Sequence, residues 1–338
     1  MAKGVKGWKK YLALLLAVAL LAPVTAWANY APPFQPRSRG VYLENVDTGM
    51  LIYEENGDQR LEAGYLAKLM TALMTVEYME EKGLDLDAEK VPLKLYIQNL
   101  VYGSANLGGI LLGEEVSVRG LLYAMLLQSA NEATMMLGDY IGDGSVGHFA
   151  DMMNDRAREL GCTGTEFADP AGFHDDDPAQ NSWTTPRDMG IIFKAVMEND
   201  ILRQILQTRD YDIGPTNKHD SLNQFNYTNA LMSTSSDYYY GPVDGGFISV
   251  ASGQDAGIAV MASTGGYSYL LVLLGTPGGE TLADTRATLY TEAKDLLQWA
   301  FDSFAVRTVM EKGEIMEEVE VKYSFLTDHM PVATSETF

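Results

Sequence analysis

The chain has almost no cysteine. Cys162 stands alone among 338 residues, so no intramolecular disulfide can form and stability must come from an apolar core. A lone thiol in such a chain reads as a small buried hydrophobe rather than a reactive group. Basic residues are also scarce, with 24 Lys and Arg against 46 Asp and Glu and a formal net charge of −22. That balance argues against nucleic acid and anionic lipid as partners, because both would be repelled. Beyond the N-terminal segment no apolar run is long enough to suggest a membrane span. There is no internal repeat and no low-complexity tract.

The chain opens with Lys3, Lys6, Lys9 and Lys10, an apolar run from Tyr11 to Val24, and Ala26-Trp27-Ala28, a small-x-small cleavage pattern. Residues 1–28 are read as a secretory signal peptide. The alternative, a membrane anchor, needs roughly 20 apolar residues, and this run is shorter. Four lysines and no acid leave with the signal, so the exported chain from Asn29 carries −26. The expected location is extracytoplasmic, secreted and associated with the cell envelope. No C-terminal amphipathic anchor is seen.

Residues 29–39 are proline-rich and predict an extended leader. Val41–Val46 and Met50–Glu54 are β-prone runs joined by the turn sequence Asp47-Thr48-Gly49, which predicts an antiparallel hairpin. Apolar residues recur at helical spacing from Leu66 to Lys82, and Gly83 follows as a stop. Further helices are predicted from Ser117, from Asn131 to Ile141, from Ser145 to Leu160, and from Thr185, where a cap, a first-turn proline and an acid coincide. Past residue 240 the pattern changes to strands, including Gly257–Ala262 and Tyr269–Leu274, before a long helix from about Leu282 to Phe304. Both ends of the chain should feed one sheet, so the fold class is α+β: an antiparallel sheet flanked by helices, with a mainly helical middle subdomain. The main domain is placed at 40–305. The tail at 306–338 is read as the start of a small β module, incomplete at this length.

Three separated segments carry the candidate chemistry. Tyr65-Leu66-Ala67-Lys68 sets a phenol and an amine three residues apart at a helix start, on one face. Ser129-Ala130-Asn131 lies between two predicted helices. Val243-Asp244-Gly245-Gly246 leads into Phe247-Ile248-Ser249 on a predicted strand. With the framework phrases Asn45–Gly49, Gly161–Phe167, Thr184–Asp188 and Tyr227–Leu231, these segments resemble the D-alanyl-D-alanine carboxypeptidases, the peptidase S11 type of low-molecular-mass penicillin-binding proteins, over about residues 40–305. The resemblance implies a β-lactamase/transpeptidase-like fold and a site acting on the peptidoglycan stem peptide.

The same resemblance assigns positions. The family's Ser-x-x-Lys falls on Tyr65 to Lys68, keeping the lysine but placing Tyr65 where the nucleophile belongs. No serine occurs from 39 to 103, so no small register shift supplies one. A phenol is a poor substitute, being bulky and mostly protonated near neutral pH with a pKa of about 10. The Ser-x-Asn motif is intact at Ser129 and Asn131. Ser129 with Glu132 also has the capping-box pattern, and capping is its expected surviving use. The Lys-Thr-Gly motif, which would hold a substrate carboxylate, is replaced by Phe247, Ile248 and Ser249. No lysine occurs from 219 to 293, and Arg286 is the only arginine there.

Lys68 is expected to persist as an ammonium satisfied by Ser129 and Asn131. His174-Asp175-Asp176-Asp177 reads as an acidic surface loop rather than a metal site, and no cofactor or metal is expected. Tyr238-Tyr239-Tyr240 suits either a binding surface or packing. The expected function is that of a secreted carboxypeptidase-like protein without catalysis, binding a stem peptide or a cell-wall protein partner. The alternatives are an active carboxypeptidase with Ser129 or Ser249 as a substitute nucleophile, and a purely structural or adhesive surface protein.

Overall fold

The structure is a computed structural model that describes residues 31–304, apart from 105, 221–223, 227 and 252–253, and the backbone of two strands at 315–320 and 329–333. The signal segment expected at 1–28 lies outside the described residues. The chain begins with the hairpin β1 (Gly40–Asn45) and β2 (Met50–Glu55), then β3 (Leu61–Glu62) and a 3-10 turn at Gly64–Leu66 that runs into α1 (Ala67–Lys82). Next come β4 (Lys90–Pro92), α2 (Leu95–Leu100), β5 (Glu115–Ser117), α3 (Val118–Gln128), α4 (Asn131–Ile141) and α5 (Val146–Glu159). After β6 (Trp183–Thr184) follow α6 (Pro186–Glu198), α7 (Asp200–Gln207), β7 (Asp210–Asp212) and β8 (Gln224–Asn226). The chain then forms β9 (Val243–Ser249), β10 (Ala256–Thr264), β11 (Tyr267–Thr276) and α8 (Leu282–Ser303), with β12 (Ile315–Glu320) and β13 (His329–Ala333) paired antiparallel beyond.

The main sheet has the order β2-β1-β11-β10-β9 and is antiparallel in each pairing. The N-terminal hairpin thus joins the late strands, as the sequence pattern predicts. The run Tyr269–Leu274 is apolar throughout because both of its faces are covered. Leu270, Val272 and Leu274 enter the larger core shared with the helices, while Tyr269, Leu271 and Leu273 pack with Leu289, Leu296 and Leu297 of α8. This alternation is the two-residue period of a strand. Each such leucine contributes about 1.5–3 kcal/mol when fully buried.

Helix starts obey local rules. Thr185 accepts from Asp188 N ahead of Pro186, Ser145 accepts from His148 N, and Thr281 with Asp284 forms a complete capping box. The sequence reading gave no separate helix at 200–207. It exists because Asn199 ends α6 in extended backbone and caps α7 through the Ile201 and Leu202 amides.

A tight turn supports the start of α1. The part-buried Asp169 carboxylate accepts from the Ala171, Gly172 and Phe173 amides, and Thr71 Oγ1 donates to Pro170 O at 2.7 Å. Gly172 has φ +71°, and a Cβ there would lie 1.8 Å from Gly64 O. Gly49 has φ +68° with open space around the same position. Gly49→Ala should therefore cost only the left-handed strain of about 1–2 kcal/mol. Gly172→Ala adds a backbone collision and should cost at least about 3 kcal/mol. Urea unfolding of the two variants checks this, and equal losses would contradict it.

Candidate functional site

Tyr65 sits in the 3-10 turn and Lys68 in the first turn of α1, so both side chains face the junction between α3 and α4. Lys68 is fully buried. Its Nζ lies 2.5 Å from Ser129 O, 2.8 Å from Ser129 Oγ and 2.7 Å from Asn131 Oδ1, and 4.4 Å from the centroid of the Tyr65 ring. Burial pushes the amine well below its ordinary pKa, while the Asp169 and Glu132 carboxylates pull it back up. Both protonation states find partners. The ammonium donates to three oxygens, and a neutral amine donates twice while accepting from the Ser129 hydroxyl.

Burial raises the pKa of the half-buried Tyr65 phenol; the Asn131 side chain opposes that rise and the Asp169 charge adds to it. The phenol is therefore protonated at neutral pH and packs on the lysine through its ring face, a cation–π contact. Asn131 is fully buried, and its Oδ1 accepts from Lys68.

The capping expectation for Ser129 is corrected. Ser129 ends α3 in the left-handed conformation, with φ +56°, and the N-cap of α4 is Ala130, which makes no side-chain cap. The Glu132 carboxylate turns instead to the Gly108 amide at 2.6 Å and the Ile110 amide at 3.3 Å. The left-handed turn moves the cap position one residue on and leaves the Ser129 hydroxyl to Lys68.

Phe247, Ile248 and Ser249 occupy β9, at the edge of the main sheet, and are 3%, 7% and 6% exposed. Phe247 belongs to the helical core and Ile248 to the core under α8, so this strand presents no cation. Ser249 Oγ accepts from the Tyr65 backbone N–H at 2.8 Å. In serine acyl transferases the backbone N–H of the nucleophile often forms half of the oxyanion hole. At this position that donor is already engaged.

Other candidates lie elsewhere. Arg286 is exposed on α8, where its charge acts on Tyr290. His174 Nδ1 pairs with Glu62 Oε2 at 3.0 Å, and the Asp177 side chain caps a short 3-10 turn. Tyr240 is buried and Tyr238 lies 5.5 Å from the Tyr290 ring, so two of the three clustered tyrosines pack rather than project. Burial pushes the Cys162 thiol up to about 12. Cavities of about 450–500 Å³ open beside Arg37 and Glu292, beside Arg60 and Trp183, and beside Asp151 and Thr165; none is lined by Tyr65, Lys68, Ser129 or Phe247.

Sequence reasoning missed Asp169 as a charge beside Lys68 and Ser249 as the partner of Tyr65 N. Asp169-Pro170-Ala171-Gly172 carries a turn signal that points to the first. Nothing local signals the second, since Tyr65 and Ser249 meet only through the packing of the turn against β9.

An antiparallel sheet with a helical subdomain, a lysine in the first turn of a helix, and a Ser-x-Asn turn on that lysine define the class of penicillin-binding DD-peptidases. The family model for D-alanyl-D-alanine carboxypeptidase matches residues 28–268, and the chain belongs to that family. It is similar to the D-alanyl-D-alanine carboxypeptidase of Streptomyces sp. strain K15, 29% identical over 80% of this chain and 87% of that protein. D-alanyl-D-alanine carboxypeptidase DacF of Bacillus subtilis is 25% identical over 84% of this chain and 67% of its own length. Among solved structures, the Streptomyces K15 DD-transpeptidase superposes with a TM-score of 0.69 at 25% identity, covering 80% of this chain and 98% of that one.

Proposed function

We propose that this protein is an exported member of the family that has given up acyl-enzyme chemistry and acts in the cell envelope by binding, with the peptidoglycan stem peptide or a cell-wall protein as its partner. The observation that carries the reading is Tyr65 itself. A protonated phenol packs on Lys68 where an activated hydroxyl is required, and its backbone amide is held by Ser249. Loss of a nucleophile in an acyl-transfer unit lowers the rate on the order of a millionfold. Phe247 and Ile248 add the loss of a carboxylate clamp on β9.

The rebuilt-site alternative needs Ser129 or Ser249 as nucleophile. Both side chains are buried and engaged, Ser129 with Lys68 and Ser249 with Tyr65 N, which favours the noncatalytic reading. The test is incubation with a pentapeptide ending in D-Ala-D-Ala, followed by titration with muropeptides and with unrelated glycans. The expected result is no D-alanine above the blank and saturable muropeptide binding. D-alanine release abolished by Tyr65→Phe would overturn the loss of chemistry, and equal response to unrelated glycans would overturn the binding role.

A further inference from the structure

Exposed apolar side chains are unevenly placed on this molecule. Among the described residues, seven of the ten large ones fall between Leu95 and Leu112. This stretch is a closed excursion. Leu93 N donates to Glu114 O at 2.9 Å and Gly113 N to Leu93 O at 2.8 Å, above the β4–β5 ladder, so both ends leave from one point. Ile97, Val101 and Ile110 face inward and join the helical core. Leu95, Leu100, Leu107, Leu111 and Leu112 are 44–58% exposed, and Tyr102 is 89% exposed. The excursion is thus apolar on its inner side and on its outer side.

Charge is distributed in the opposite sense. From Val91 to Gly113 there is no Asp or Glu, although 46 of the 338 residues are acidic. Its Lys94 pairs with Asp139 at 2.5 Å. The chain as a whole carries a strong net negative charge, and the stretch from Leu95 to Leu112 has no charged side chain.

We infer that the excursion from Leu95 to Leu112 docks on the surface of a lipid bilayer by inserting its leucines and Tyr102. An acid-free apolar tip on a strongly acidic protein is the complement of a headgroup layer with acyl chains beneath it. Leucine with tyrosine suits that interface, where tyrosine sits at headgroup level. Protein-binding hot spots, in contrast, draw on Trp, Tyr and Arg and are poor in Leu. The excursion is also tied to the site: Asn131 N donates to Asn106 O at 2.8 Å, and Glu132 holds the Gly108 amide. Docking therefore keeps the Tyr65–Lys68 site close to the membrane surface. The inference is independent of whether Tyr65 has ended catalysis.

The physics sets a distinctive salt dependence. Insertion of apolar groups supplies the attraction, while the net charge of the chain opposes approach to anionic lipid. The exported form from Asn29, which retains almost all of the family-matched region, is sedimented with phosphatidylcholine vesicles and with vesicles containing phosphatidylglycerol. Binding should favour the zwitterionic vesicles at low salt, and added salt should strengthen binding to the anionic ones. A variant with Leu100→Ser, Tyr102→Ser, Leu111→Ser and Leu112→Ser, with its thermal melt compared to wild type, should partition at least about tenfold more weakly. Absence of vesicle binding, binding that the folded variant keeps, or binding that salt weakens would each overturn the inference. So would self-association removed by these substitutions in a protein that ignores vesicles, which would make the face an interface between copies.

Discussion

Incubated with excess benzylpenicillin, the protein should gain no mass, whereas a variant carrying Tyr65→Ser, Phe247→Lys, Ile248→Thr and Ser249→Gly should acquire one covalent adduct. The geometry explains why this small set is expected to suffice. Lys68 already holds Ser129 Oγ and Asn131 Oδ1 within 2.8 Å, so the groups we propose as base, relay hydroxyl and amide are already assembled. Tyr65→Ser sets a hydroxyl three residues, or about one helical turn, from the amine. Ser249→Gly removes the Oγ that occupies the residue 65 amide, returning an N–H to stabilise a developing oxyanion. Phe247→Lys and Ile248→Thr restore a cation and a hydroxyl on β9. The expected contrast in acylation rate is on the order of a millionfold. An intact-mass spectrum measures it directly, and an adduct on the unaltered protein would show that the native site still has a nucleophile. The single variant Tyr65→Ser separates the two effects, since its amide stays bound to Ser249.

Lys68→Met should destabilise the protein by a few kcal/mol, because each buried acceptor left without its donor costs about 1–3 kcal/mol. Methionine fills similar volume, so the loss is electrostatic rather than a cavity effect. The Ser129 carbonyl, the Ser129 hydroxyl and the Asn131 amide oxygen would lose their shared donor. Asp169, whose carboxyl burial pushes up in pKa, would lose the neighbouring cation that lowers it. Urea unfolding of wild type and variant checks the prediction. An unchanged or increased stability would mean that the amine is held at an energetic cost, as functional groups often are, and would weaken the noncatalytic reading.

The framework was legible because its signals are local. The Asp47–Gly49 turn with its flanking β runs, the Thr185-Pro186 cap and the 269–274 apolar run each specify their element through nearest neighbours. The junction at residue 129 was misread for the same reason: Ser129 and Glu132 have the spacing of a capping box, but a left-handed turn moved the cap to Ala130. The Glu132 carboxylate then found backbone amides at Gly108 and Ile110, far away in sequence. Periodicity carries no information about that choice.

By itself the sequence determined the α+β class and the family and singled out positions 65 and 247–249 as candidates, because these depend on residue types and on patterns of period two or near four. Only the tertiary structure decided what those positions do to one another. The Lys68 amine on Ser129 and Asn131, the Ser249 hydroxyl on the Tyr65 amide, the Asp169 charge behind the lysine and the neutral Leu-rich excursion beside the site all join residues distant in the chain. Hydrogen bonds and burial act through distances of a few ångströms, and those distances are set by how the turn, β9 and the helices pack.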